Sequence, residues 1–230
     1  MTRLLHIDAS ARLHGSDSHA HGSHSRRLSQ RFVRGWRELN PADEIVVRDV
    51  GLAPPTPVSD RWIHAAFTPA ARREPGMTQV LAESDALVDE LLAADLIVAG
   101  VPMYNFGVPA PFKAWIDNVV RVGRTFGFDR QREGEPYWPM LDDAGKTLVL
   151  LSSRGDYGYG PGERLAHINH VEPAVLTPMR YLGITDSHGA AVEYDEFGGD
   201  DLRASIERAE AQVDGLVRKL SHERATRAAA

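Results

Sequence analysis

Residues 95–107 read DLIVAGVPMYNFG. An unbroken apolar run from Leu96 to Val101 ends at Pro102, and a short loop with two aromatics and an amide follows. A strand that is apolar throughout needs cover on both faces of its sheet, which calls for crossover helices and parallel neighbours. The flanks agree. Upstream, TQVLAESDALVDELLAA (78–94) has the period of an amphipathic helix. Downstream, VPAPFKAWIDNVVRVG (108–123) opens with prolines, which suit a first helical turn, and gathers Phe112, Trp115, Ile116, Val119 and Val120 on one face, with Lys113 and Asp117 paired at i,i+4.

The same alternation runs along the chain. RLLHIDA (3–9), EIVVRDV (44–50), KTLVLLSS (146–153) and ITDSHGAAVEY (184–194) read as strands. Residues 25–39, with Leu28, Phe32, Trp36 and Leu39 at spacings of three and four, and 173–183 and 200–220 read as helices, whereas the proline-rich 52–62 reads as loop. The predicted architecture is α/β, a doubly wound five-stranded parallel sheet of flavodoxin-like order 2-1-3-4-5. It occupies 1–222 as a single domain, followed by a frayed tail at 223–230.

Composition narrows the function. With no cysteine among 230 residues there is no disulfide, thiolate metal site or cysteine nucleophile, so redox chemistry would need a bound cofactor. A net charge of −6 argues against a nucleic-acid binder. No apolar run approaches the roughly 20 residues of a membrane span, and no charged-then-apolar leader precedes LLHIDA, so the expected location is cytoplasmic.

In this topology ligands bind at the carboxyl ends of the strands, so the loops 9–25, 102–107 and 153–163 are the informative ones. The first carries His14, His19, His21 and His24 among serines and glycines and ends in SHS at a helix start. Two readings stay open there. The helix N-terminus with Ser10, Ser23 and Ser25 could hold an anion through N–H and hydroxyl donors, or Ser25 could simply cap the helix. A third, the histidines binding zinc or nickel, lacks carboxylate support other than Asp17. Neither a Walker pattern nor G-x-G-x-x-G is present. In the second loop Tyr104 and Phe106 could wall a flat heterocycle while Asn105 meets its polar edge; the plainer alternative is a turn with buried aromatics. SSRGDYGYGPGE (152–163) offers close backbone approach and aromatic surface, or is only a flexible loop.

Together, Ser10 with S-x-S at 23–25, A-G-V-P-M-Y-N-F (99–106), F-K-A-W-I-D (112–117), S-R-G (153–155) and L-G-I-T-D (182–186) resemble the FMN-dependent NADH:quinone oxidoreductase/azoreductase family, related to the DT-diaphorase type. The pair P-M-Y-N-F and F-K-A-W-I-D is the specific signal. The resemblance implies FMN, with Ser10, Ser23, His24 and Ser25 on its phosphate, Pro102, Met103, Tyr104, Asn105 and Phe106 against the isoalloxazine, and Ser153, Arg154, Gly155 and Asp156 on its pyrimidine side. It implies that Phe126 faces the substrate pocket; since that pocket must accept flat molecules in turn, Tyr157 or Tyr159 of the third loop could add to its aromatic platform. The reaction implied is ping-pong transfer of two electrons from NADH or NADPH to quinones or aromatic azo compounds, in a homodimer. His167 and His170 are weak candidates for proton supply, no other protein group being needed for the chemistry. Three departures stand out: a longer first loop holding most of the histidines, Asp156 where glycine is frequent, and an expanded segment 128–139 that could form a lid. The competing classes are a flavin-binding electron carrier or redox sensor without nucleotide turnover, and a His-loop metal-binding protein.

Overall fold

The computed structural model describes residues 1–13 and 22–229, with the side chains of 227–229 left out. The histidine-rich segment 14–21, including His14, His19 and His21, lies outside the described residues. The central sheet is parallel, with strands β1 (Arg3–Asp8), β2 (Glu44–Asp49), β3 (Leu96–Pro102), β6 (Thr147–Ser153) and β7 (Asp186–Val192) in the order β2-β1-β3-β6-β7. The predicted order 2-1-3-4-5 is this one, once β4 (Phe126–Phe128) and β5 (Tyr137–Pro139) are set aside as a separate antiparallel pair.

Alternation along the central strands sorts side chains between two cores. Leu4, Leu96, Val98, Val149 and Leu151 face α1 (His24–Leu39) and α6 (Gly199–Ala229), packing with Phe32, Trp36, Val213 and Val217. Leu5, Ile7, Ile97, Ala99, Val101, Leu148 and Leu150 face the other side, covered by α3 (Pro75–Ala93), α4 (Ala110–Val119) and α5 (Val171–Leu182). Both faces of β3 and β6 are buried at every residue, which is why those segments read as continuous apolar runs.

Three segments differ from expectation. The proline tract does not stay irregular through residue 62, because Ser59 accepts a hydrogen bond from the Trp62 N–H and starts α2 (Asp60–Phe67). The segment 128–139 is the turn and second strand of the β4–β5 hairpin, pinned where Gly127 leaves room for the Trp138 ring; a Cβ at 127 would sit 1.9 Å from it. Finally, α6 continues past residue 222 to Ala229, so the expected frayed tail is helix that far, and Arg224 Nη2 donates to Asp95 O at 2.6 Å.

Candidate functional site

A cleft of about 280 Å³ opens at the carboxyl ends of β1, β3 and β6, as the switch-point rule requires. Ser10, Ser23 and His24 line it from the first loop, Pro102, Met103, Tyr104 and Asn105 from the second, and Ser153, Arg154 and Gly155 from the third. Arg12, Gly22, Asp195 and Glu196 complete it.

At the α1 end, Ser23 is the N-cap, accepting from the Arg26 N–H at 3.3 Å, with its Oγ 3.2 Å from Ser25 Oγ. No acidic residue stands in the first turn, so nothing on that turn opposes an anion at the positive helix end. Ser25 is fully buried and does not line the cleft; its hydroxyl supports Ser23 from within. The helix cap expected at Ser25 therefore falls two residues earlier, at Ser23. His24 Nε2 lies 3.1 Å from Asp195 Oδ1, and Arg12 Nη1 lies 3.5 Å from Asp195 Oδ2. Two basic side chains thus face the carboxylate that intrudes at this end.

Across the cleft, Tyr104 and Gly107 exchange backbone hydrogen bonds at 2.9 and 3.1 Å around Asn105 and Phe106, whose φ values are +47° and +70°. That is the left-handed two-residue turn usually given to Asn-Gly, and Phe106 in it is a strained choice. The turn is held in place. Met103 N–H donates to Ser153 O at 2.8 Å, His170 N–H donates to Phe106 O at 3.0 Å, and the Tyr104 hydroxyl accepts from Ala11 N–H at 3.2 Å. As a result Tyr104 and Phe106 stand 37% and 50% exposed, rather than buried as in the plainer alternative, and of the two only Tyr104 lines the cleft.

The third loop is tied down by side-chain contacts. Arg154 is buried, its Nη1 donating to Glu193 Oε1 at 3.0 Å and its Nη2 to Glu172, and it lies over the Tyr159 ring. Gly155 packs so closely on Glu196 that a Cβ would meet its carboxylate at 2.5 Å. Asp156 sits just outside the lining, its Oδ1 taken by Arg164 Nη2 at 2.5 Å and Tyr157 N–H at 2.7 Å. Tyr159 is buried beneath Arg154, and burial, aided by Asp156 and Glu196, raises its hydroxyl above the usual tyrosine range.

The structure does not bring every expected residue to the cleft. Tyr157 stacks on Tyr194 at 4.5 Å, and Phe126 packs against Tyr137 and Tyr181 at 6.2 and 5.3 Å, so neither they nor Tyr159 line it. His167 and His170 are exposed, and only His170 approaches, through its backbone contact with Phe106. Among the described residues no group of histidines and carboxylates could hold a metal ion. Sequence reasoning missed Arg12, Asp195 and Glu196. The run YDEFGG (194–199) was the available signal, since Tyr194 adopts φ +70° and turns the β7–α6 loop back over the cleft.

A family model described as a flavodoxin-like fold matches residues 2–216. The chain belongs to that family. It is similar to an FMN-dependent NADH:quinone oxidoreductase 2 of Idiomarina loihiensis, 40% identical over 221 residues that cover 96% of this chain and 91% of that protein. An FMN-dependent NAD(P)H:quinone oxidoreductase 1 of Pseudomonas aeruginosa is 38% identical, over 95% of this chain and 99% of its own. Among solved structures, an azoreductase from Bacillus anthracis superposes with a TM-score of 0.80 at 23% identity, covering 95% of this chain and 100% of that one. An FMN-dependent NADH-azoreductase of the same species, in complex with FMN, gives 0.81 at 16% identity, covering 96% and 100%. At those identities the structural likeness is one of fold.

Proposed function

We propose that the protein is an FMN-dependent oxidoreductase that passes two electrons from NADH or NADPH to quinones and aromatic azo compounds by a ping-pong mechanism. The observation that carries this is the pairing, across one cleft, of a hydroxyl-capped helix start with an aromatic turn held in left-handed backbone. The first suits a phosphate and the second a flat ring. The names and coverage of the relatives support the same reading.

The donor set fits FMN. Ser10, Ser23 and the first turn of α1, with His24 and Ser25, would hold the phosphate. Pro102, Met103, Tyr104, Asn105 and Phe106 would contact the ring, with Ser153, Arg154, Gly155 and Asp156 toward its pyrimidine edge. Bound FMN would supply hydride acceptance and two-electron delivery, which no side chain of this cysteine-free chain offers. The protein's own share is to orient and to shield. Arg154 is tied to two carboxylates, so it acts as a wall and presents backbone rather than a mobile charge. Tyr104 and Phe106 present a surface to which acceptors can add in turn. Dependence on NADH or NADPH would place the work in the cytoplasm, where those donors are regenerated.

We further propose a homodimer that shares the apolar surface formed by Tyr137, Met140 and Tyr181, which are 48%, 45% and 40% exposed, the two tyrosines packing on Phe126. This would return Phe126 to the neighbourhood of a substrate pocket. A single monomeric species in sedimentation at micromolar concentration would remove that part of the reading. The enzymatic proposal is tested on the purified protein. It should be yellow or become so with added FMN, and NADH or NADPH should bleach it without oxygen, with a quinone restoring the colour. A protein that takes up no FMN would overturn it.

A further inference from the structure

Behind the first turn of α1 lies a buried charge cluster with no part in the chemistry proposed above. Arg26 is 3% exposed, and every nitrogen of its guanidinium is engaged. Nη1 and Nη2 grip Asp49 at 2.6 and 2.7 Å in a two-pronged pair. Nη2 and Nε converge on the backbone carbonyl of Ser10 at 2.6 and 3.2 Å. Nη1 reaches Asp8 Oδ2 at 3.3 Å, while Ser29 Oγ donates to Asp8 Oδ1 at 2.7 Å and His6 Nε2 faces the same oxygen at 3.4 Å. The backbone N–H of Arg26 is itself the group that Ser23 caps.

One residue therefore touches both sides of the cleft's α1 end, Ser10 through its side chain and Ser23 through its main chain. We propose that Arg26 is the positioning residue of the FMN-phosphate cradle, turning the Ser10 carbonyl toward the interior and screening Asp8 and Asp49 from the phosphate; this rests on reading the start of α1 as that cradle. Without Arg26 the Ser10 carbonyl would lose both its guanidinium donors, and Asp8 and Asp49 would lose their arginine partner. Asp8, 4% exposed, would be left with Ser29 and His6, and Asp49 with the Leu52 N–H. The neighbouring glycines show how closely the cluster is fitted. A Cβ at Gly51 would meet Ser10 O at 2.2 Å and Arg26 Nη2 at 2.9 Å, and one at Gly100 would meet Asp8 Oδ1 at 2.6 Å.

A purely structural arginine would affect FMN and riboflavin binding alike, because the two flavins differ only in the phosphate. The decisive quantity is the ratio of riboflavin to FMN dissociation constants, measured by fluorescence titration of the apoprotein, with circular dichroism melts of each variant. Wild type is expected to prefer FMN. Arg26→Gln should cut that preference by about tenfold, the scale of a lost charge-assisted network, and Arg26→Lys should recover only part of it because lysine lacks the fork. Arg31→Gln, on the same helix but paired with Asp214 and Glu210, should change the melt and leave the ratio alone. If Arg26→Gln does not fold, Asp49→Asn loosens the guanidinium from its outer anchor and should lower the ratio about threefold. A folded Arg26→Gln or Asp49→Asn protein with the wild-type ratio overturns the proposal. A wild type that binds both flavins equally overturns the cradle reading itself.

Discussion

The two ends of the cleft are built on opposite plans. At the α1 end, Ser10, Ser23, Ser25 and Arg26 are all under 5% exposed, and Arg26 ties the Ser10 carbonyl and the Ser23 hydroxyl to Asp8 and Asp49 behind them. On the facing loop, half-exposed Phe106 stands in a two-residue turn whose backbone is held where non-glycine residues rarely go, and Tyr104 reaches from the edge of that turn to the Ala11 N–H. A buried polar network has one good arrangement and is costly to disturb. An exposed aromatic on a fixed turn offers area without demanding a matching shape. One end is thus suited to a single invariant group, and the other to a succession of different flat molecules.

The sharpest way to break this contrast is Gly51→Ala. Its methyl would meet the Ser10 carbonyl, which is main chain and has no rotamer to move. We expect a loss of about 3 kcal/mol in chemical denaturation together with lost FMN uptake; wild-type values in both would mean that the α1 end yields more than its packing suggests. Ser23→Ala should cost less, about 1 kcal/mol for the missing helix cap, and should weaken FMN binding more than riboflavin binding in the same titration. Phe106→Ala belongs to the other end. Its melting should stay near wild type, since the ring is half exposed, while KM for a flat quinone rises about fivefold, an aromatic-contact effect. A variant that melted early with unchanged KM would reverse the assignment of the two ends.

The smallest effect concerns acid. Burial alone would raise the Asp49 carboxyl, but the hydrogen bonds and charge of Arg26 outweigh it and hold Asp49 below its ordinary 3.8. A depressed carboxylate contributes stability that is fully present above its unfolded pKa and is lost as pH falls through the lower folded value. The advantage of wild type over Asp49→Asn should therefore be undiminished at about pH 5 and disappear only below the ordinary carboxylate range. Denaturation midpoints along an acid series would show it, and an advantage that fades already at mildly acidic pH would contradict it.

Much of this was legible in the sequence because it rests on periodicity. The runs at 3–9, 95–102 and 146–153 alternate between two cores, and two covered faces leave few topologies open. The loops after β1, β3 and β6 follow from the sheet order, and each does line the cleft. What escaped was set by contacts distant in the chain. Asp195 joins the site through a loop beyond the edge strand β7, in which Tyr194, Gly198 and Gly199 adopt a left-handed backbone and the Asp195 and Glu196 N–H groups donate to the carbonyls of Arg154 and Gly155. Tyr157 looked like a substrate platform by composition, yet it is stacked on Tyr194, which no local pattern announces. The helix Asp60–Phe67 was hidden by prolines upstream, although Ser59 was a readable cap.

The pairing of α1 with α6 has a consequence in time. Arg27 and Arg31 meet Glu210 and Asp214 across 183 residues of sequence, and Gly35 passes within contact of Val217. At roughly 5–20 residues per second on the ribosome, α1 waits about 10–40 s for its partner. During that interval the α1 side of the sheet is open to solvent and to other nascent chains. The row of arginines along α1 gives that side a charge which would keep such an intermediate dispersed until α6 arrives to close it.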